Sequence, residues 1–80
     1  MEKRKSRYQI AVSVEHNGKT LRSWYGENGT MGARDNAKVW QAWKPTMKQA
    51  DKLRETYGAN TSIEIWECYE DATSNIVYTK

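Results

Sequence analysis

The side chains that could act as a nucleophile, a general base or a metal ligand are few and far apart in this sequence. His16 is the only histidine and Cys68 the only cysteine among 80 residues. A nucleophile needs its base within hydrogen-bond reach, and nothing in the spacing of these two residues brings them together. A single cysteine also excludes an internal disulfide and a multi-cysteine zinc site. We therefore expect no enzymatic activity, no metal and no cofactor.

Two other segments could in principle hold ions. Carboxylates cluster near the C-terminus, at Glu64, Glu67, Glu70 and Asp71. They lack the alternating Asp/Asn spacing of a calcium loop, so we interpret them as a solvated acidic face. Glycines recur at every third position ahead of Arg34, at Gly26, Gly29 and Gly32. Backbone N–H groups there could bind a phosphate, but the lysine and serine of a P-loop are missing, and an inter-strand loop is our interpretation.

The aromatic residues give the best indication of function. The chain has four tryptophans, five tyrosines and no phenylalanine, so each of these nine aromatic side chains combines a large apolar body with one polar group. Tryptophan and tyrosine are enriched where a protein meets another surface. A domain of this size buries only about 60% of the surface of its unfolded chain, so some rings should remain exposed.

The charge of the chain is unevenly distributed. The net charge is +3, with eight Lys/Arg against four Asp/Glu in residues 1–40 and five against six in residues 41–80. The excess lies in a basic N-terminal arm of about residues 1–7, which includes Lys3, Arg4, Lys5 and Arg7. Such an arm attracts polyanions, or it is simply a solvated terminus. No apolar run resembles a signal peptide or a membrane span, so we expect a cytoplasmic protein.

Hydrophobic periodicity predicts a β-hairpin at the start of the domain. Apolar and polar residues alternate over residues 8–15, Asn17-Gly18 is a typical two-residue turn, and the return strand covers about residues 19–25. The turn sets the register, with Val14–Leu21, Val12–Ser23 and Ile10–Tyr25 on the core side and Ser13–Arg22 and Ala11–Trp24 on the other. Trp24 is thus predicted to point away from the core.

The rest of the chain predicts one strand, one helix and two further strands. The third strand is expected from Ala37 to Trp43, with a short helix beginning near Asp35 as the alternative. Thr46 and Gln49 fit a capping box for a helix that ends before Gly58. Strands over residues 62–69 and 74–79 follow. The predicted architecture is a single α+β domain over residues 1–80, a mostly antiparallel β-β-β-α-β-β sheet with one helix packed on one face.

Alternation places basic and aromatic side chains on the sheet face opposite the helix. Together with the arm, the candidate binding residues are Lys3, Arg4, Lys5, Arg7, Arg22, Trp24, Arg34, Lys38, Trp40 and Trp66. Exposed indoles beside guanidinium groups are typical of protein–protein hot spots and also suit base stacking on single-stranded nucleic acid. A third interpretation is that the basic arm, the glycine loop or a second copy of the chain covers this face.

Residues 37–66 resemble short open reading frames of phages and mobile elements. The resemblance lies in Ala37-Lys38-Val39-Trp40, Gln49-Ala50-Asp51-Lys52-Leu53 and Ile63-Glu64-Ile65. It implies a non-enzymatic accessory protein, one that blocks a host-defence complex in the host cytoplasm. The order of three strands and a helix also looks like the arm-type DNA-binding domains of phage integrases, from which the acidic hairpin after the helix departs.

The expected function is therefore that of a binding protein. We expect it to dock onto a protein or nucleoprotein complex through the aromatic and basic surface, as a phage-type inhibitor or adaptor would. The alternative is direct binding of nucleic acid by the basic arm and the aromatic face. No membrane partner is expected, and the apolar last strand could pair with its own copy in a homodimer.

Overall fold

The computed structural model describes residues 7–69 and 73–80. Within these ranges five antiparallel strands form one sheet and a single α-helix lies on one of its faces, which confirms the α+β architecture. The elements are β1 (Arg7–His16), β2 (Lys19–Tyr25), β3 (Met31–Gly32), a 3-10 turn (Arg34–Asn36), α1 (Trp43–Tyr57), β4 (Ser62–Cys68) and β5 (Ser74–Thr79). The sheet order is β3-β2-β1-β4-β5, so β1 is the central strand.

The first hairpin has the predicted register from Ala11–Trp24 to the turn, but the predicted pair Ile10–Tyr25 does not form, because the Tyr25 carbonyl oxygen accepts from the Lys38 N–H instead. Val14 pairs with Leu21 and Ala11 with Trp24 across β1 and β2. The turn residues Asn17 and Gly18 have φ values of 52° and 77°, the left-handed conformation that an Asn-Gly turn requires. Because side chains alternate between faces along a strand, this register places Trp24 on the face away from the helix.

The predicted third strand is wrong in position. The third strand of the sheet is Met31–Gly32, paired with the end of β2. The predicted segment contains two isolated bridges instead, Ala37 with Gly26 and Trp40 with Tyr8, and its last residue, Trp43, already begins α1. Neither predicted structure, a strand over this segment or a helix beginning near Asp35, describes it fully, since the helical structure near Asp35 is limited to the 3-10 turn. The segment fills the gap where β1 and β2 separate, so its pairing partners are set by distant residues.

The helix begins four residues earlier than the capping box predicts. Its N-cap is Ala42, and the Thr46 hydroxyl donates to the Ala42 carbonyl oxygen at 2.7 Å from inside the helix. Pro45 is tolerated because a residue in the first turn has no intrahelical acceptor for an N–H group. The end of the helix is as predicted: Gly58, at φ 71°, donates its N–H to the Arg54 carbonyl oxygen.

Aromatic contacts explain the early start of α1. Trp43, its first residue, packs edge-on against Tyr8 at 5.3 Å and against Tyr78 at 6.2 Å, measured between ring centroids. These contacts anchor the first turn to both β1 and β5, and aromatic pairs in this arrangement stabilise by about 0.5–1.5 kcal/mol beyond the area that they bury. Tertiary packing therefore decides where the helix begins.

The hydrophobic core lies between α1 and the two central strands. Its fully buried members come from β1, β4 and the helix: Ile10, Ile63, Ile65 and Ala50, joined by Val12 and Leu53. The helix packs on β4 and β1, so the helix-side surface of β2 has no such cover. In the described part of the chain no helix has the length and apolar composition needed to cross a membrane.

Candidate functional site

Two tryptophans meet on the sheet face opposite the helix, hereafter the outer face. Trp24 of β2 and Trp66 of β4 flank the central strand, and their ring centroids are 5.5 Å apart. Between them lies Ala11, which pairs with Trp24 and is fully buried. Its small side chain leaves the space above β1 that lets the two indoles touch. The predicted placement of both rings on this face is thereby correct.

Arg34 covers these two rings. The residue opens the 3-10 turn, and its guanidinium carbon lies 4.6 Å from the centroid of Trp24 and 5.3 Å from that of Trp66. Arg34 Nε donates to Gln9 Oε1 at 3.0 Å and Nη2 donates to Ser74 Oγ at 2.8 Å. The guanidinium is therefore fixed by stacking and by hydrogen bonds to two strands.

Arg22 and Glu64 extend this arrangement with an ion pair. Arg22 Nε donates to Glu64 Oε1 at 2.8 Å, and the indole N–H of Trp66 donates to the same oxygen at 3.1 Å. The Arg22 guanidinium also lies 5.4 Å from the Trp66 ring centroid. Glu64 is only 6% exposed, and the hydrogen bond to it raises the pKa of Arg22 above its usual value. A buried carboxylate is tolerable because it has these donors.

Two indoles in mutual contact, with Arg34 over both and Arg22 over one, form a cluster here called the cation–indole network: Arg22, Trp24, Arg34 and Trp66. Both guanidinium groups already have hydrogen-bond acceptors within the chain. The Arg22 guanidinium donates to the Glu64 carboxylate, and the Arg34 guanidinium donates to the Gln9 amide oxygen and the Ser74 hydroxyl oxygen. Trp24 is only 9% exposed. The expectation that Trp24 offers an exposed ring for partner contact is therefore wrong, because the glycine loop carries Arg34 over it.

Lys38 and Trp40 lie on the other side of the sheet from the one expected. Trp40 packs against the hydrophobic core and stacks on Tyr25 at 6.4 Å between ring centroids. The ammonium group of Lys38 lies 4.1 Å from the Trp40 centroid. The indole nitrogen of Trp40 is buried and has no hydrogen-bond partner among the described residues. The sequence did not reveal the path of residues 37–40. Trp40 forms a bridge to Tyr8, so this segment does not add side chains to the outer face.

The remaining candidates divide into described and undescribed residues. Arg7 begins β1 and is exposed. Lys3, Arg4 and Lys5 of the basic arm lie outside the described residues, as do Glu70 and Asp71 of the acidic segment. Among the described residues no three His, Cys, Asp or Glu side chains converge as metal ligands.

His16 and Cys68 lie at opposite ends of β1. His16 pairs with Lys19 beside the turn, and Cys68 pairs with Arg7 nine residues away along the strand. That separation is about 30 Å at the rise of an extended strand. The Cys68 thiol donates to Gln9 Oε1 at 3.4 Å. The two side chains therefore do not form a nucleophile–base pair.

An apolar groove on the helix side of the first hairpin is the feature that the sequence did not reveal. The cross-strand pair Val14 and Leu21 is 38% and 53% exposed, although the sequence predicts both residues to be core. The groove has a volume of about 360 Å³ and is lined by Val12, Val14, Leu21, Ser23, Met31, Tyr57 and Thr61. This hairpin groove, as we call it, is open because α1 covers β1 and β4 but not β2.

Comparison with protein-family models, with curated proteins and with solved structures finds no match to this chain. The resemblance of residues 37–66 to phage and mobile-element proteins accordingly stays a prediction. No residue role is carried over from a relative, and the site rests on the contacts described above.

Proposed function

We propose that this chain is a non-enzymatic protein-binding domain that docks onto a partner protein or nucleoprotein complex through the hairpin groove. The observation that carries the proposal is the exposure of Val14 and Leu21, 38% and 53%, side by side on a regular hairpin. Tyr57 from the end of α1, itself 39% exposed, borders the same groove. Contiguous apolar surface of this kind is typical of interaction sites.

The properties of the outer face support the hairpin groove over the aromatic surface as the contact site. A base-stacking platform needs open ring faces, and Trp24 is 9% exposed beneath Arg34. The cations that would bind phosphates are engaged as well, Arg22 by Glu64 and Arg34 by Gln9 and Ser74. Binding nucleic acid there would break contacts that stabilise the fold, whereas the groove can be filled without losing any.

Site-specific photo-crosslinking tests the proposal. A photoreactive amino acid placed at Leu21 should give a discrete protein adduct in cells that express the chain. The matched control is Val39, which is 44% exposed and does not line the groove. An equally strong adduct from both positions, or none from position 21, would contradict docking at the groove. A nuclease-sensitive adduct would indicate direct nucleic-acid binding instead.

Charge substitution provides the second arm of the test. With the photoreactive group at Ser23, which also lines the groove, Leu21→Glu should reduce the adduct about tenfold or more, because a desolvated carboxylate costs more than 1.4 kcal/mol. Val39→Glu should leave the yield unchanged. Circular dichroism of both variants checks that the fold survives, as expected for substitutions at positions 53% and 44% exposed.

A further inference from the structure

We infer that the partner enters the hairpin groove as an extended strand, hydrogen-bonded to the free edge of β2, with an apolar side chain against Leu21 and a carboxylate against Lys19. The inference rests on the proposed function and names the chemistry of its ligand. It requires an open backbone edge, outward-facing hydrogen-bond groups and side chains that select the ligand. Each of these is present on β2.

The edge of β2 is open along most of its length. β2 lies between β1 and β3 in the sheet, but β3 has only two residues and pairs only with Trp24 and Tyr25. After Gly32 the chain turns away into the 3-10 turn, which carries Arg34 to the outer face. No described residue pairs with the outer side of β2 over residues 19–23. A strand in line with β3 would therefore meet no obstacle from the sheet itself.

The backbone of β2 points the required groups outward at Thr20 and Arg22. Along an antiparallel strand, successive residues direct their N–H and C=O groups to opposite neighbours. Two hydrogen bonds show which residues of this strand point to which neighbour. Gly26 N–H donates to the Thr30 carbonyl oxygen on the β3 side. Tyr25 C=O accepts from the N–H of Lys38, whose segment fills the gap between β2 and β1. Even-numbered residues of β2 therefore face the open edge. A partner strand would satisfy these groups, as in β-strand addition.

The side chains of β2 that face the groove select the ligand. Leu21 and Ser23 line the groove, and Lys19 lies on the same face at the turn end, opposite His16. A residue directly opposite Leu21 would contact an exposed apolar side chain, and one opposite Lys19 would face an ammonium group for which the described residues provide no ion-pair partner. Matched cross-strand pairs of side chains stabilise the pairing of two strands. An apolar residue and an acidic residue two positions apart fit this edge.

The charge of β2 favours a different protein over a second copy of the chain. Residues 19–23 contain Lys19 and Arg22 and no carboxylate. Pairing β2 with itself would bring two Lys19 ammonium groups to one edge, beside two Arg22 guanidinium groups that are each already paired with Glu64. Charged residues at strand edges, lysine above all, are a known means of preventing self-association. The opposite edge of the sheet is a poorer acceptor, because the pairing of β5 with β4 shifts register at Ile65 and Trp66. Such a bulge twists an edge strand away from incoming chains.

Backbone-amide exchange measured by NMR tests the inference with a defined probe. The probe is the capped peptide Thr-Val-Thr-Val-Thr-Glu-Thr, in which antiparallel pairing sets valine against Leu21 and glutamate against Lys19. We expect saturable shifts along β2 and slower exchange of the Thr20 and Arg22 amide protons. Replacing glutamate with lysine in the peptide should weaken binding about fivefold, corresponding to a cross-strand pair of about 1 kcal/mol. Shifts confined to β5, or no shift at millimolar peptide, would overturn the inference.

A proline variant separates this inference from the proposed function. Thr20→Pro removes an outward N–H group without removing a bond to β1, and proline is tolerated at such edge positions. Thr20→Val keeps the N–H group and is the matched control. Loss of the photo-crosslinked partner in Thr20→Pro and retention in Thr20→Val would support strand addition.

Two outcomes would overturn strand addition. The first leaves docking at the hairpin groove intact, and the second replaces the partner protein with a second copy of the chain. If Leu21→Glu abolishes the adduct and Thr20→Pro does not, the partner occupies the groove without pairing to β2. If the Thr20 and Arg22 amides are already protected without peptide, and protection increases with protein concentration, a second copy occupies the edge. Circular dichroism of Thr20→Pro confirms that the comparison is made on folded protein.

Discussion

The guanidinium of Arg34 lies 4.6 Å from the ring centroid of Trp24, and its Nε donates to Gln9 on the neighbouring strand. Arg34 stands at the end of the glycine loop, while Trp24 ends the first hairpin. Their contact folds the loop back across the outer face. It also makes Trp24 a buried part of the domain's structure and leaves Trp66 only partly exposed.

Removing this cover should destabilise the domain and expose the indoles. Arg34→Ala loses a cation–π contact of about 0.5–2 kcal/mol and two side-chain hydrogen bonds of about 1 kcal/mol each. We expect the free energy of unfolding to fall by about 2–4 kcal/mol and tryptophan emission to shift to longer wavelength. Urea titration followed by fluorescence measures both. Lys38→Ala, which removes the cation over Trp40, is the control, and an equal effect of both variants would argue against a special role for Arg34.

Trp24 should behave as a structural residue. Trp24 is 9% exposed and Trp43 is 37% exposed, so their truncations compare the same change at different burial. We expect Trp24→Ala to cost about 3–5 kcal/mol, as for a buried aromatic residue, and Trp43→Ala to cost clearly less. Chemical denaturation measures the difference. If Trp24→Ala instead leaves stability unchanged and only abolishes partner binding, the outer face is the contact surface after all.

The Arg22–Glu64 pair should show strong coupling. Arg22→Met leaves the Glu64 carboxylate, 6% exposed, with the Trp66 indole N–H and no cation. We expect a loss of about 1–3 kcal/mol, moderated because Arg22 is itself partly in solvent. In the double variant with Glu64→Leu part of that loss should return, since the buried charge is gone. A double-mutant cycle that proves additive would show that the two residues do not stabilise each other.

The alkaline limit of stability should depend on Tyr8. Burial, together with the charge of Glu67 and a hydrogen bond to it, raises the pKa of Tyr8 above 10.0. Above that pH the unfolded chain loses the tyrosine proton before the folded one does, so the unfolded state binds fewer protons and stability falls as pH rises. Below about pH 9 Tyr8 should contribute no pH dependence.

Tyr8→Phe should flatten that alkaline decline, and Glu67→Gln should make it smaller, because the pKa of Tyr8 in the folded protein then lies closer to its value in the unfolded chain. Thermal unfolding at intervals between pH 7 and 11 measures both effects relative to the unaltered protein. Other tyrosines and the lysines titrate in the same range, so the difference between the curves is the relevant quantity. Identical curves for Tyr8→Phe and the unaltered protein would contradict the assigned environment.

A pair of glycines tests the geometry of the first turn. Gly18 has φ 77° with open space around its Cβ position, whereas Gly32 has equal space without a left-handed backbone. Gly18→Ala should therefore cost about 1–2 kcal/mol through backbone strain alone. Gly32→Ala should change stability by less than about 0.5 kcal/mol. Equal costs measured by urea denaturation would indicate that strain at the turn is not the cause.

The sequence determined those features that depend on residues close together in the chain. Alternation over β1 and β2 and the Asn-Gly turn predicted the pairing of Ala11 with Trp24, because backbone geometry sends successive side chains to opposite faces. The end of α1 at Gly58 followed in the same way from a local conformational preference. The prediction of a third strand from Ala37 to Trp43 was wrong for the opposite reason, since Trp40 pairs with Tyr8, a residue of β1 that is distant in the sequence.

Only the tertiary structure decided which surfaces are closed and which are open. The contacts that close the outer face join residues 25 and 42 positions apart, Arg34 with Gln9 and Arg22 with Glu64. The hairpin groove stays open because α1 lies across β1 and β4 and leaves Leu21 of β2 exposed. Periodicity assigns a side chain to a face of the sheet. Whether another element then covers that face depends on the path of the chain through space, which no local pattern contains.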